Sequence, residues 1–129
     1  MADILQADHP TSLITGAASG IGKAIAQHAY KEGHNLILVD IDEINLIETS
    51  DQFKTTNKIE IIADLSSYED ISKLKKTVDS QCNVVNYLFN NAGIFLEGRS
   101  WKLSSDAWSK IININSVSYT HLRAHETTL

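Results

Sequence analysis

The chain has 129 residues, 43% of them hydrophobic, and a net charge of −5 at pH 7. That length suits one ordinary domain. The acidic balance argues against a nucleic-acid or anionic-membrane surface, which would call for a basic patch. One cysteine, Cys82, excludes an intrachain disulfide and suits a reducing compartment. Nothing near Cys82 in sequence would activate it, so a plain structural or surface thiol is expected. The opening MADILQADHPTS lacks the apolar stretch of a signal peptide. No segment reaches the roughly 18 apolar residues of a membrane span. The expected location is the cytoplasm, with no membrane and no nucleic-acid partner.

Short apolar runs alternate with helical patterns. SLIT (Ser12–Thr15) predicts a first strand, followed by a glycine-rich turn. From Ile21 onward, Ile21, Ala24, Ile25 and Ala29 mark one face of a helix, which closes at Lys31-Glu32-Gly33. NLILVD (Asn35–Asp40) is a near-continuous apolar run ending in an acid, the pattern of a strand buried on both faces. Asp42 predicts the cap of a second helix carrying Ile44, Leu46 and Ile47. IEIIAD (Ile59–Asp64) predicts a third strand. Ser66-Ser67-Tyr68-Glu69 has the spacing of a capping box, with Ser66 as cap and Glu69 three residues on. The helix behind it carries Ile71, Leu74 and Val78 on one side. VVNYLFNN (Val84–Asn91) predicts a fourth strand, and Ser104 or Ser105 opens a last helix with Trp108, Ile111, Ile112 and Asn115.

This alternation predicts an α/β, doubly wound parallel sheet with right-handed crossovers, as in Rossmann-type folds. Ligands of such folds sit at the carboxyl ends of the strands. The first turn reads TGAASGIG, Thr15 to Gly22. There Gly16 permits a tight turn, Gly20 permits close backbone approach to a pyrophosphate, and Gly22 permits close packing of helix on strand. The helix start beyond it offers N–H groups and a positive dipole end to an anion. Asp40, 18 residues after Gly22, stands where a carboxylate accepts from both hydroxyls of an adenosine ribose and repels a 2′-phosphate. No Arg or Lys precedes Gly22 in the turn or directly follows Asp40, so NAD is favoured over NADP.

These residues, with Asp64-Leu65 after the third strand, NNAG (Asn90–Gly93) after the fourth, and Trp108 followed by Asn115, resemble the classical short-chain dehydrogenase/reductase family. The resemblance covers about residues 10 to 115, and NNAG is its most specific part. It implies an oxidoreductase that moves a hydride between a nicotinamide cofactor and an alcohol/carbonyl pair. It also implies that Gly16, Ser19, Gly20, Ile21 and Gly22 line the pyrophosphate and nearby ribose, with Asp40 on the adenosine ribose. Asp64, through its side chain, and Leu65, through its backbone, would flank the adenine, and Asn90, Ala92 and Gly93 would form the cofactor floor. A sheet-bracing role for Asn91 is at least as well supported as contact. Asn115 matches the helix asparagine whose backbone helps hold a water in the family's proton relay; Asn113 fits the spacing from Trp108 less well. Related enzymes pack this helix against another subunit, so a homodimer or homotetramer is implied for the parent protein.

The family's catalytic serine, and the tyrosine followed four residues later by lysine, have no counterpart in this chain. None of its four tyrosines is followed at that distance by lysine. Tyr119-x-x-x-Arg123 is a poor substitute, since arginine differs in shape and stays charged. His121 and His125, with Glu126, lack the complete H-E-x-x-H pattern and a third placed ligand, so no metal site is expected. VSYTHLRAHET (Val117–Thr127) instead matches, over eleven residues without a gap, the in-frame translation of an adapter used in transposase-based sequencing libraries. The expected organisation is a partial NAD(P)-binding domain over residues 1–116, truncated after the fourth strand and its following helix, and a non-native tail over 117–129. Such a chain is expected to lack turnover. The alternative from another class is a dinucleotide-binding sensor that uses the same half-fold without catalysis. Substrate identity is not legible.

Overall fold

The computed structural model describes residues 5, 8–82 and 84–92. They form β1 (Thr11–Thr15), α1 (Gly20–Lys31), β2 (Asn35–Asp40), α2 (Glu43–Asp51), β3 (Lys58–Ile62), α3 (Tyr68–Gln81) and β4 (Tyr87–Asn90). All strand pairings are parallel, in the order β3-β2-β1-β4. The chain therefore winds outward from β1 to β3, then crosses back to place β4 on the other side of β1. This is the α/β doubly wound sheet expected, with its switch point between β1 and β4. The last predicted helix, which includes Asn115, lies outside the described residues.

The two inner strands explain the two-sided core. Every residue of β1 and the first five of β2 are buried. Because side chains alternate along a strand, Leu13, Ile37, Val39 and Ile59 face one side, where Ile71, Leu74 and Val78 of α3 meet them. Ile14, Leu36 and Leu38 face the other, against Ala26 and Ala29 of α1 and Leu46 of α2. Each such fully buried Leu or Ile side chain contributes about 1.5–3 kcal/mol by leaving water. The α1 terminus is closed by paired bonds, Gly33 N–H to the Tyr30 carbonyl (3.0 Å) and His34 N–H to the Ala29 carbonyl (3.0 Å), the Schellman pattern that aims the chain into β2.

Four local expectations are corrected. The buried face of α1 is Gly22, Ala26 and Ala29, while Ile21 is 71% exposed. Close packing on the sheet selects the smallest side chains, not the most apolar ones. On α2, Leu46, Thr49 and Ser50 are buried and Ile44 is 80% exposed. The two hydroxyl residues tolerate burial because each has a partner, Ala18 for Thr49 and Glu60 for Ser50.

The cap of α3 is Ser67, which accepts from Asp70 N–H, and not Ser66. Ser66 turns instead to Asp64, donating from its hydroxyl at 2.6 Å and from its backbone N–H at 3.0 Å. The third and fourth strands are also shorter than expected, ending at Ile62 and beginning at Tyr87. Val85 is buried in the core ahead of β4 without pairing as strand. The side chain of Asn86 accepts from Thr11 N–H at 2.8 Å, and its backbone N–H donates to the Thr11 carbonyl at 3.0 Å.

Candidate functional site

The carboxyl ends of the strands lie side by side. Thr15 stands in register with Val39 on β2 and Asn90 on β4, and Asp40 with Ile62 on β3. Residues 16–19, 63–66 and 91–92 therefore leave the sheet along one edge, and the sequence-predicted residues that are described gather there.

The glycine turn is built from backbone geometry. Gly16 and Gly20 have φ of +68° and +58°, in the left-handed region that L side chains seldom adopt. A Cβ on Gly20 would meet nothing within 4 Å, so this bend opens outward and leaves its backbone accessible. Gly22 is the opposite case: a Cβ there would stand 2.0 Å from the Gly16 carbonyl oxygen and 2.7 Å from Asn91 Nδ2. The first turn of α1 consequently lies hard against Gly16 and the residues that follow β4.

Helix starts differ in a way that bears on the site. The side chain of Asp42 caps α2, that of Ser67 caps α3, and both helices carry acids in the first turn. Ser19 at the start of α1 makes no side-chain cap bond, and the first turn holds no acid. Among the described helices, α1 alone begins with neither device, and it begins at the edge where the strands end. Its terminal N–H groups and dipole suit an anion.

Asp40 binds the turn before any ligand is considered. Its Oδ2 accepts from Ala18 N–H at 3.0 Å and its Oδ1 from Asp42 N–H at 3.0 Å. Ala17 N–H donates to the Val39 carbonyl at 3.2 Å, and Ala63 N–H to the Asp40 carbonyl at 3.1 Å. Asp64 follows β3, with Asp70 Oδ2 accepting from its N–H at 2.8 Å. Leu65 is buried in the core cluster with Ile71 and Leu74.

On the β4 side, the Thr15 hydroxyl ties two strand ends together. It accepts from Ala92 N–H at 2.9 Å and lies 3.3 Å from Asn90 Oδ1, to which it donates. Asn91 Nδ2 reaches the Gly16 carbonyl at 3.5 Å. Asn90 thus points toward β1, and Ala92 sits beside the glycine turn. Gly93 and Asn115 lie outside the described residues. Sequence reading assigned no role to Thr15, although its place directly before Gly16 was a usable signal. For Thr49, whose hydroxyl reaches the turn from α2, there was none.

Comparison with known proteins decides the family. The sequence profile of the short chain dehydrogenases matches residues 10–127. The chain belongs to the short-chain dehydrogenase family. A CLA biosynthesis dehydrogenase/reductase of Lactiplantibacillus plantarum is 34% identical over 110 residues, spanning 84% of this chain and 38% of that protein. A diacetyl reductase of Staphylococcus epidermidis, described as forming (S)-acetoin, is 32% identical over 107 residues, spanning 81% and 42%. The chain thus spans about two fifths of the length of these curated relatives.

Among solved structures, a short-chain dehydrogenase/reductase from Burkholderia phymatum in complex with NAD superposes with a TM-score of 0.83 at 28% identity, covering 95% of this chain and 46% of that one. A short-chain dehydrogenase from Sphingobium yanoikuyae in complex with NADPH gives 0.81 at 29%, covering 90% and 46%. The family therefore includes partners of both nucleotides. Among the described residues of this member, no helix is long and apolar enough to cross a membrane, and no group of three or more His, Cys, Asp or Glu is placed to hold a metal ion.

Proposed function

We propose that this chain is the cofactor-binding portion of an NAD-dependent short-chain oxidoreductase that interconverts an alcohol and a carbonyl compound. The observation that carries the reading is the helix start without a side-chain cap, behind an outward-opening glycine turn that is latched to a carboxylate at the end of β2. The residues fit a dinucleotide. Gly16, Ser19, Gly20, Ile21 and Gly22 would hold the diphosphate, Asp40 the adenosine ribose, Asp64 and Leu65 the adenine, and Asn90, Ala92 and Gly93 the floor. Bound there, a nicotinamide dinucleotide supplies the centre that gives or takes a hydride. Asn115 is proposed to help hold the proton-relay water through its backbone.

NAD is preferred over NADP in this reading because Asp40 would face a 2′-phosphate with like charge. Initial rates of the longer parent enzyme with NADH and NADPH test this. A preference for NADPH would refute the role given to Asp40. A parent that binds dinucleotide but has no serine and no Tyr-x-x-x-Lys beyond Asn115 would instead favour a sensor.

We further propose that residues 1–116 form the domain portion and 117–129 a non-native tail, in a protein of the cytoplasm whose parent is a homodimer or homotetramer. The family match runs on to residue 127, so this boundary rests on the adapter likeness of Val117–Thr127 alone. Sequencing across Ser116 tests it, and uninterrupted genomic sequence through Thr127 would refute it.

A further inference from the structure

Ala18 lies midway between the two left-handed glycines of the turn and is gripped from two directions. Its N–H donates to Asp40 Oδ2 at 3.0 Å, and its carbonyl accepts from Thr49 Oγ1 at 3.3 Å. Thr49 is only 2% exposed, near the end of the nine-residue helix α2. A buried hydroxyl costs stability unless it is bonded, and a helical threonine ordinarily bonds back to a carbonyl of its own helix. This one reaches out of the helix to a residue 31 positions earlier in the chain. Around the bond, Ala17, Ala18, Leu46 and Phe53 belong to one buried cluster, which excludes the water that could otherwise replace the hydroxyl.

The geometry points to Thr49 as a positioning residue for the dinucleotide. Thr49 holds the peptide plane that follows Ala18 through its carbonyl, and Asp40 holds the plane that precedes it through the Ala18 N–H. The two bonds together clamp both sides of the residue and fix the turn beside the carboxylate that would meet the ribose. This rests on the cofactor reading above and adds a residue on α2 that need touch no ligand itself. A turn held in its binding shape before the cofactor arrives spares the ordering cost of binding.

The test uses the parent enzyme with Thr49→Val, which removes the hydroxyl at nearly constant shape, and with the pair Thr49→Ser and Thr49→Ala, which differ only in that hydroxyl. Removal of the hydroxyl is expected to raise the KM and Kd for NAD about fivefold, the worth of one ordinary hydrogen bond. kcat is expected to stay near the unsubstituted value, and Thr49→Ser to bind as the parent does. Should Thr49→Val fold poorly, the serine-to-alanine ratio carries the same information. Unchanged KM in both hydroxyl-free variants would overturn the proposal, as would a fall in kcat alone, the sign of a merely structural role. If the unsubstituted enzyme binds no dinucleotide by fluorescence quenching, the cofactor reading itself fails, a result distinct from equal binding by all variants.

Discussion

At the scale of single residues, Gly20 and Gly22 stand two apart in one turn yet are glycine for different reasons. Gly20 has a positive φ and open space around it; Gly22 sits where a Cβ would collide with the Gly16 carbonyl. The collision involves backbone, which cannot swing aside as a side-chain tip would. Gly22→Ala is therefore expected to destabilise the parent protein by about 1–3 kcal/mol, as overpacking does, read as a lowered midpoint in denaturant. Gly20→Ala should cost stability only about 1–2 kcal/mol, for its left-handed backbone. Its larger effect should fall on dinucleotide affinity, measured by titration of folded protein. Equal affinity in Gly20→Ala and the parent would remove Gly20 from the site.

At the scale of elements, the start of α3 shows how neighbouring serines divide their work. Ser67 caps the helix through Asp70 N–H (3.3 Å), Asp70 returns a carboxylate oxygen to Asp64 N–H (2.8 Å), and Ser66 holds Asp64 from the other side. Cap and turn thus form one hydrogen-bonded unit that sets the chain after β3. Ser67→Ala is expected to cost about 1 kcal/mol, lowering the thermal midpoint by several degrees. Ser66→Ala removes no cap, and its effect should appear first in the Asp64 turn and in the affinity for adenine nucleotides. If Ser66→Ala proved the more destabilising of the two, the capping assignment would be reversed. The same element logic covers α1, where a missing cap costs helix stability and leaves N–H groups for an anion.

At the scale of the whole molecule, the described sheet has two edges, β3 and β4. On β4, Tyr87 is 49% exposed and Phe89 36%, and the two rings stack with centroids 6.4 Å apart. A strand carrying exposed aromatic side chains at a sheet edge invites pairing with another chain. Expressed by itself, the 129-residue polypeptide is expected to associate, visible by light scattering, and to show no cooperative melting of a monomer. We also propose that it oxidises no NADH with a carbonyl substrate, since none of its tyrosines is followed four residues later by the lysine that the family resemblance implies. A soluble monomer with one sharp transition would contradict the first expectation, and steady turnover the second.

The strand–helix alternation, the apolar runs of β1 and β2, the Ile71, Leu74 and Val78 stripe, and the glycine turn before Asp40 were all legible in the residues. Each is a local pattern whose period or spacing mirrors backbone geometry. What required the folded chain were the contacts between distant segments: Thr15 with Ala92, Asp40 with Ala18, and Thr49 with Ala18. Hydropathy found Ala29 and Leu46 but misplaced other positions on the buried faces of α1 and α2. Packing distance, which it does not encode, put Gly22 and Ala26 inside and left Ile21 and Ile44 out. Sequence by itself thus determined the family, the parallel doubly wound sheet and the edge where a ligand would sit. Tertiary structure alone decided which hydroxyls and carboxylates brace that edge, because such bonds depend on three-dimensional proximity between residues that no sequence period connects.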